Sequence, residues 1–216
     1  MKFSWDNKFI SALGKLVDCV WLSILWGICC LPVFTIGAST SALFYTVHKS
    51  IRGSRGYTTR NFFLAFKNNF KQATLSWLVL LVIEAVLAAD AFITRQVLMT
   101  GNSWGAFFYF FLVMLALVIG WACYLFPYVA RFENTVKESL KNAGLLEIRH
   151  LPWSLLLIVL ALLGLFLTWL IPILIFLMPA TMFLLFDCIL ERIFRRYMSP
   201  EDLQREQEND QLDRME

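Results

Sequence analysis

Apolar residues along this chain come in long unbroken runs rather than in alternation, which predicts helices buried on every side or exposed to lipid. From Cys19 to Val47 there is no charged residue, although Pro32 and Gly37 interrupt the run. A second run, Ala73 to Phe92, contains only Glu84 and Asp90 as charged positions, and a third extends from Trp104 to Ala130. Leu151 to Phe186 is again free of charge. At about 1.5 Å per residue this last run is far too long for one crossing of a core about 30 Å thick. Pro172 lies in its middle and disfavours helix at the preceding residue, so the run divides into spans Leu151–Leu170 and Pro172–Leu190.

Composition settles the class that this pattern suggests. Of 216 residues, 59% are hydrophobic and only 16% charged, with 20 Phe and 8 Trp. A soluble domain carries about 25% charged residues, so a chain this apolar cannot cover its surface with polar groups. Disordered, fibrous and disulfide-scaffold classes are excluded on the same grounds. The expected fold is all-α: a polytopic membrane helix bundle of five to six transmembrane helices with a short N-terminal hairpin. Residues 1–198 form a single integral membrane domain, and residues 199–216 an acidic, polar cytoplasmic tail.

Charge between the runs sets the orientation. His48 to Lys71 holds Lys49, Arg52, Arg55, Arg60, Lys67 and Lys71 with no acid. Arg131, Lys137, Lys141 and Arg149 lie in the next long loop, and Arg192, Arg195 and Arg196 follow the last span, whereas the intervening link has only Arg95. The two basic loops and the C-terminus therefore belong in the cytoplasm. Lys2, Lys8 and Lys15 place the N-terminus there too, which demands an even number of crossings before His48. Two short helices turning at Leu31–Gly37 satisfy this; the alternative is one full crossing with the N-terminus outside. A cleavable signal peptide is not expected, because its apolar core would span only about 7–15 residues before a cleavage site.

Asn61–Gln72 reads as a helix at the cytoplasmic headgroups. Phe62, Phe63, Phe66 and Phe70 recur at helical spacing, with Lys67, Asn68, Asn69 and Lys71 on the other side. The helix leads into the second span and is a candidate contact for a partner or for lipid, carried by Phe62, Phe66, Lys67, Phe70 and Lys71. Leu140–Leu146 predicts a weaker helix of the same kind. Ser199-Pro200-Glu201-Asp202 has the pattern of a helix start. The five cysteines (Cys19, Cys29, Cys30, Cys123, Cys188) form no CxxC pair and read as packing residues, with neither a zinc site nor a disulfide framework.

Ionisable groups inside apolar spans are functional candidates because their burial is costly. Glu84, near mid-span, leads. Asp90 lies closer to the outer end, near Arg95. Asp18 and Asp187 flank the cytoplasmic ends of the first and last spans, where simple solvation or pairing with Lys15 and Arg192 would satisfy them. Thr35 and Ser39, in the small polar run Thr35–Ala42, complete a candidate intramembrane polar site with Glu84 and Asp90. His48 and His150 are the only histidines, and no HExxH, GxSxG or phosphate-binding glycine loop occurs. No catalytic residue, metal or cofactor is assigned, and no nucleic-acid partner is expected.

The segment Leu31-Pro32-Val33-Phe34-Thr35-Ile36-Gly37-Ala38-Ser39-Thr40-Ser41-Ala42-Leu43 resembles the N-terminal signature of the YesL-like bacterial membrane proteins. Phe62-Phe63 with Phe66-Lys67-Asn68-Asn69-Phe70-Lys71-Gln72-Ala73, and Phe126-Pro127-Tyr128-Val129-Ala130-Arg131-Phe132-Glu133-Asn134, extend the resemblance over Phe9 to Arg196. Phe34 stands where a smaller aliphatic residue is expected. The resemblance implies a multi-pass protein of the bacterial plasma membrane, of a type encoded beside carbohydrate uptake and breakdown systems, with no residue roles to carry over. Together these features lead to the expectation of a non-enzymatic accessory or regulatory protein of carbohydrate uptake. Its expected partners are the lipid bilayer and a sugar-transport permease or ATPase. The alternative is a small secondary transporter or channel for a sugar or ion.

Overall fold

The structure is a computed structural model and describes residues 4–54, 56–198 and 204. Seven α-helices occur among them: α1 Ser4–Cys29, α2 Ile36–Thr46, α3 Thr58–Met99, α4 Phe107–Arg131, α5 Val136–Arg149, α6 Leu151–Leu170 and α7 Met178–Phe194. No strand is present among the described residues. Four helical segments are long and apolar enough to cross a membrane, namely Ala12–Cys29, Thr58–Met99, Ser103–Arg131 and Leu151–Leu170. Most side chains in them face outward: Val82, Val86, Leu155, Leu165 and Phe166 are all exposed. So much outward apolar surface is stable only against lipid, which makes this a membrane protein.

The N-terminal run folds as a hairpin. Pro32 has no amide proton to donate, and the chain leaves the helix at Cys30 before a 3₁₀ turn, Val33–Thr35. The Thr35 hydroxyl lies 2.6 Å from the Cys29 carbonyl and 2.7 Å from that of Pro32, so its single proton is shared between acceptors freed at the helix end. Helix resumes at Ile36, so the expected irregular stretch Leu31–Gly37 is shorter by two residues. Those two turn inward: a Cβ on Gly37 would come 2.5 Å from the Ala73 carbonyl oxygen and 2.6 Å from the Trp77 Cβ. Glycine here is what lets α2 and α3 touch. The Trp77 indole also donates to the Val33 carbonyl at 2.8 Å, fixing the turn against α3.

From that turn α2 returns alongside α1. The Ser39 hydroxyl donates to the Trp26 carbonyl, and the Trp26 indole donates to Thr40. With 11 residues α2 rises only about 16 Å, half of a bilayer core. The hairpin tip accordingly stops beside Trp77, while α3 continues to Met99. The basic segment Asn61–Gln72 is not a separate interfacial helix; it is the first third of α3, one rod of 42 residues. Phe62 shows why: it is fully buried among Val47, Ile51 and Ala65, so packing of the hairpin holds this segment on the axis of the span.

Beyond the link at Thr100–Asn102, α4 runs back along α3. The Asn102 side chain accepts from the Trp104 amide and opens this return. α5 begins with a capping box in which Thr135 and Glu138 satisfy each other's backbone amides, so the expected helix at Leu140–Leu146 extends over Val136–Arg149. The long charge-free run breaks as expected: α6 ends at Leu170, Pro172–Phe176 forms a 3₁₀ turn, and α7 starts at Met178. α7 returns between α6 and the hairpin, with Met182 against Gly164 and the Ala180 amide donating to Ser23. The helix-start pattern at Ser199–Asp202 lies outside the described residues.

Candidate functional site

The polar groups that the fold gathers are not the ones the apolar runs single out. Thr46 leads into a π-helical segment, Val47–Arg52, a helix form that recurs at functional sites. His48 and Arg52 lie four apart on it, and Asp187 and Glu191 lie four apart on α7, so each pair shares one face. The two faces meet. His48 Nδ1 is 2.8 Å from Asp187 Oδ1, and the Arg52 guanidinium donates to Asp187 Oδ2 at 2.6 Å and to the Asp187 carbonyl at 3.2 Å. Asp187 is completely buried. The expected solvation or pairing with Arg192 is thus corrected: one oxygen accepts from Arg52 and the other contacts His48 Nδ1, both from the π-helical segment far upstream, because Asp187 faces inward while Arg192 is exposed.

Glu191 is equally engaged. Its Oε1 accepts from Arg131 at the end of α4 and from Arg195 one turn further along α7, both at 2.9 Å. Its Oε2 is buried, has no hydrogen bond, and lies 3.8 Å from His48 Nδ1. The His48 ring stacks on Phe44, centroids 6.5 Å apart, which fixes its orientation. Two buried carboxylates and three guanidiniums therefore tie the ends of α2, α4 and α7 into one junction. The Asp187 carboxylate in turn holds the Arg52 guanidinium even more firmly protonated than usual. His48, Asp187 and Glu191 present a nitrogen and two carboxylate oxygens all within 4.8 Å, a donor set that can hold a metal ion. The only warning in the sequence is the i, i+4 spacing of His48/Arg52 and of Asp187/Glu191/Arg195; nothing local reveals that the two strips meet.

The other residues of interest are dispersed. Thr35 and Ser39 are buried, but both are consumed in closing the hairpin. Glu84 lies on α3 two turns past Trp77, half-buried and without a hydrogen bond or ion pair among the described residues. Asp90 is half-buried a further turn and a half along and forms no ion pair with Arg95. The four do not converge on one site. Of the candidate contact strip, Phe62 is core and Phe66 half-buried, stacked on it at 6.2 Å. Lys67, Phe70 and Lys71 remain exposed, joined by Phe63.

A third buried acid emerges at Glu147, on α5. It is 6% exposed, and its Oε1 has no hydrogen-bond partner. Gly120 on α4 makes room for it, since a Cβ there would overlap Glu147 Oε1 and come 2.9 Å from Ile158. Burial without a partner pushes this carboxyl up to about 7. Nearby, the Ser154 hydroxyl contacts the Glu147 carbonyl and the Tyr124 hydroxyl, joining α4, α5 and α6.

Neither the curated proteins nor the solved structures offer a match to this chain. Residues 19–91, which take in the end of α1, the turn, α2, the π-helical segment and most of α3, match the model of the family described as "Protein of unknown function, DUF624", in agreement with the YesL-like resemblance.

Proposed function

We propose that this chain is an accessory or regulatory integral membrane protein of carbohydrate uptake, acting by contact rather than by catalysis. The observation that carries this reading is the exposed strip Phe63, Lys67, Phe70 and Lys71 at the start of α3, next to a helix junction locked by buried ion pairs. Aromatic and cationic side chains on a rigid rod suit an acidic partner surface: the lysines complement its charge, the rings supply apolar contact, and the preformed helix has no backbone left to order on docking. The carbohydrate context rests on the YesL-like resemblance, and the expected partner is a sugar-transport permease or its ATPase. Affinity purification from native membranes in mild detergent tests this. A permease or ATPase should co-purify, and Lys67→Glu with Lys71→Glu should remove it. Recovery of no transporter component from wild-type membranes would sink the reading.

A second reading, a small secondary transporter or channel, is favoured by one feature: Glu84 is a half-buried carboxyl inside an apolar span with no partner among the described residues. Reconstituted protein should then pass a sugar or ion, and Glu84→Gln should abolish that flux. Flux unchanged by the substitution would remove Glu84 from any pathway.

A further inference from the structure

We propose that His48, Asp187 and Glu191 form a binding site for one divalent transition-metal ion, of the Mn²⁺ or Zn²⁺ class, at the junction of the π-helical segment and α7. Three features of the geometry converge on this. His48 Nδ1, Asp187 Oδ1 and Glu191 Oε2 face one another, with His48 Nδ1 2.8 Å from the first oxygen and 3.8 Å from the second. Those separations bracket the spacing of neighbouring donors around an ion held at about 2.0–2.2 Å. Glu191 is 4% exposed, and Oε2 is the oxygen that no protein donor reaches, aimed at the same centre.

The arginines supply the third feature. Arg52 occupies Asp187 Oδ2, while Arg131 and Arg195 occupy Glu191 Oε1. Each carboxylate is thus held by one oxygen, which is how surrounding hydrogen bonds orient the ligands of a metal site. Glu191 Oε2 is unpartnered, and an entering ion would displace to solvent the proton that now joins Asp187 Oδ1 to His48 Nδ1. The ion enters beside three guanidiniums. Arg52 and Arg195 are 43% and 62% exposed, so water and salt screen their repulsion, whereas Arg131 is 9% exposed and its charge opposes the ion, leaving the two carboxylates to offset it. A mixed nitrogen and carboxylate donor set favours Mn²⁺ or Zn²⁺ over Mg²⁺, which takes oxygen ligands and keeps its waters. With three protein donors the remaining positions would carry water. The ion would hold α2 and α7 together at the basic end of the bundle.

The test uses full-length protein in detergent, freed of its affinity tag and stripped with chelator. Mn²⁺ is the probe, because the thiolates of the five cysteines would compete for Zn²⁺. Equilibrium dialysis should give one Mn²⁺ per chain, unaffected by a tenfold excess of Mg²⁺. His48→Gln and Glu191→Gln should each weaken binding at least tenfold, whereas His150→Gln should leave it unchanged. Pulsed electron paramagnetic resonance of the Mn²⁺-loaded wild-type protein should show coupling to one histidine nitrogen, a readout that needs no variant to fold. Absence of stoichiometric binding, absence of that nitrogen coupling, or its loss in His150→Gln would each overturn the site.

Discussion

Glu147 offers the sharpest test of how this bundle is held together. A carboxyl that is 6% exposed, with a bare Oε1 pressed toward Gly120, must either keep its proton or be ionised without compensation. Burial raises it from 4.5 to about 7 in the folded protein. Between those two values the folded state therefore binds more protons than the unfolded state, and stability falls as pH rises. Below pH 4.5 the contribution is fully retained; above pH 7 both states are ionised and the loss is complete. At about 1.4 kcal/mol per pKa unit the loss comes to roughly 3 kcal/mol. Glu147→Gln keeps the shape and removes the ionisation. The observable is the difference in unfolding free energy between variant and wild type in detergent, followed by tryptophan fluorescence from pH 4.5 to 8. That difference should move in favour of the variant by roughly 2–3 kcal/mol across the window, whatever its starting level, since all other acids titrate alike in both proteins. A difference that stays flat with pH, or that moves against the variant, would refute the reasoning.

Three further outcomes are expected. Gly37→Val should destabilise the protein by about 2–3 kcal/mol, because its side chain meets backbone at Ala73 that cannot swing aside, and Trp77 fluorescence should report a loosened turn; unchanged melting would mean that the hairpin does not pack on α3. Asp187→Ala should cost about 2–4 kcal/mol, since it strands His48 and Arg52, with the exposure of Arg52 limiting the loss; a variant melting like wild type would show that the ion cluster contributes nothing. Cysteine labelling from outside intact cells should modify Asn102→Cys strongly and Lys141→Cys weakly, and the reverse pattern would invert the orientation derived from the basic loops.

The all-α class and most helix boundaries were legible in the sequence for a simple physical reason, although four described helices rather than the expected five to six are long and apolar enough to span, since α2 and α7 have only 11 and 17 residues. Crossing a bilayer needs uninterrupted apolar length, a one-dimensional property, so the runs ending at Ala130 and Leu170 announced α4 and α6 directly. Prolines are equally local: Pro32 and Pro172 lack an amide proton wherever they sit, and the chain turns at both.

What the sequence did not reveal is everything that depends on which faces meet. Phe62 has the spacing of a membrane-surface residue, yet it is core, because α2 returns to cover it and turns Asn61–Gln72 into the base of a single long helix. Glu147 directly follows the weaker interfacial helix expected at Leu140–Leu146, and only the approach of α5 to Gly120 buries it. Asp187 and His48 are 139 positions apart, so no local spacing could pair them. Apolar length and backbone chemistry act on each segment alone and fix where helices begin and end. Burial of a charge depends on neighbours distant in sequence, and the tertiary structure alone decided which acids became isolated, paired or left half-buried.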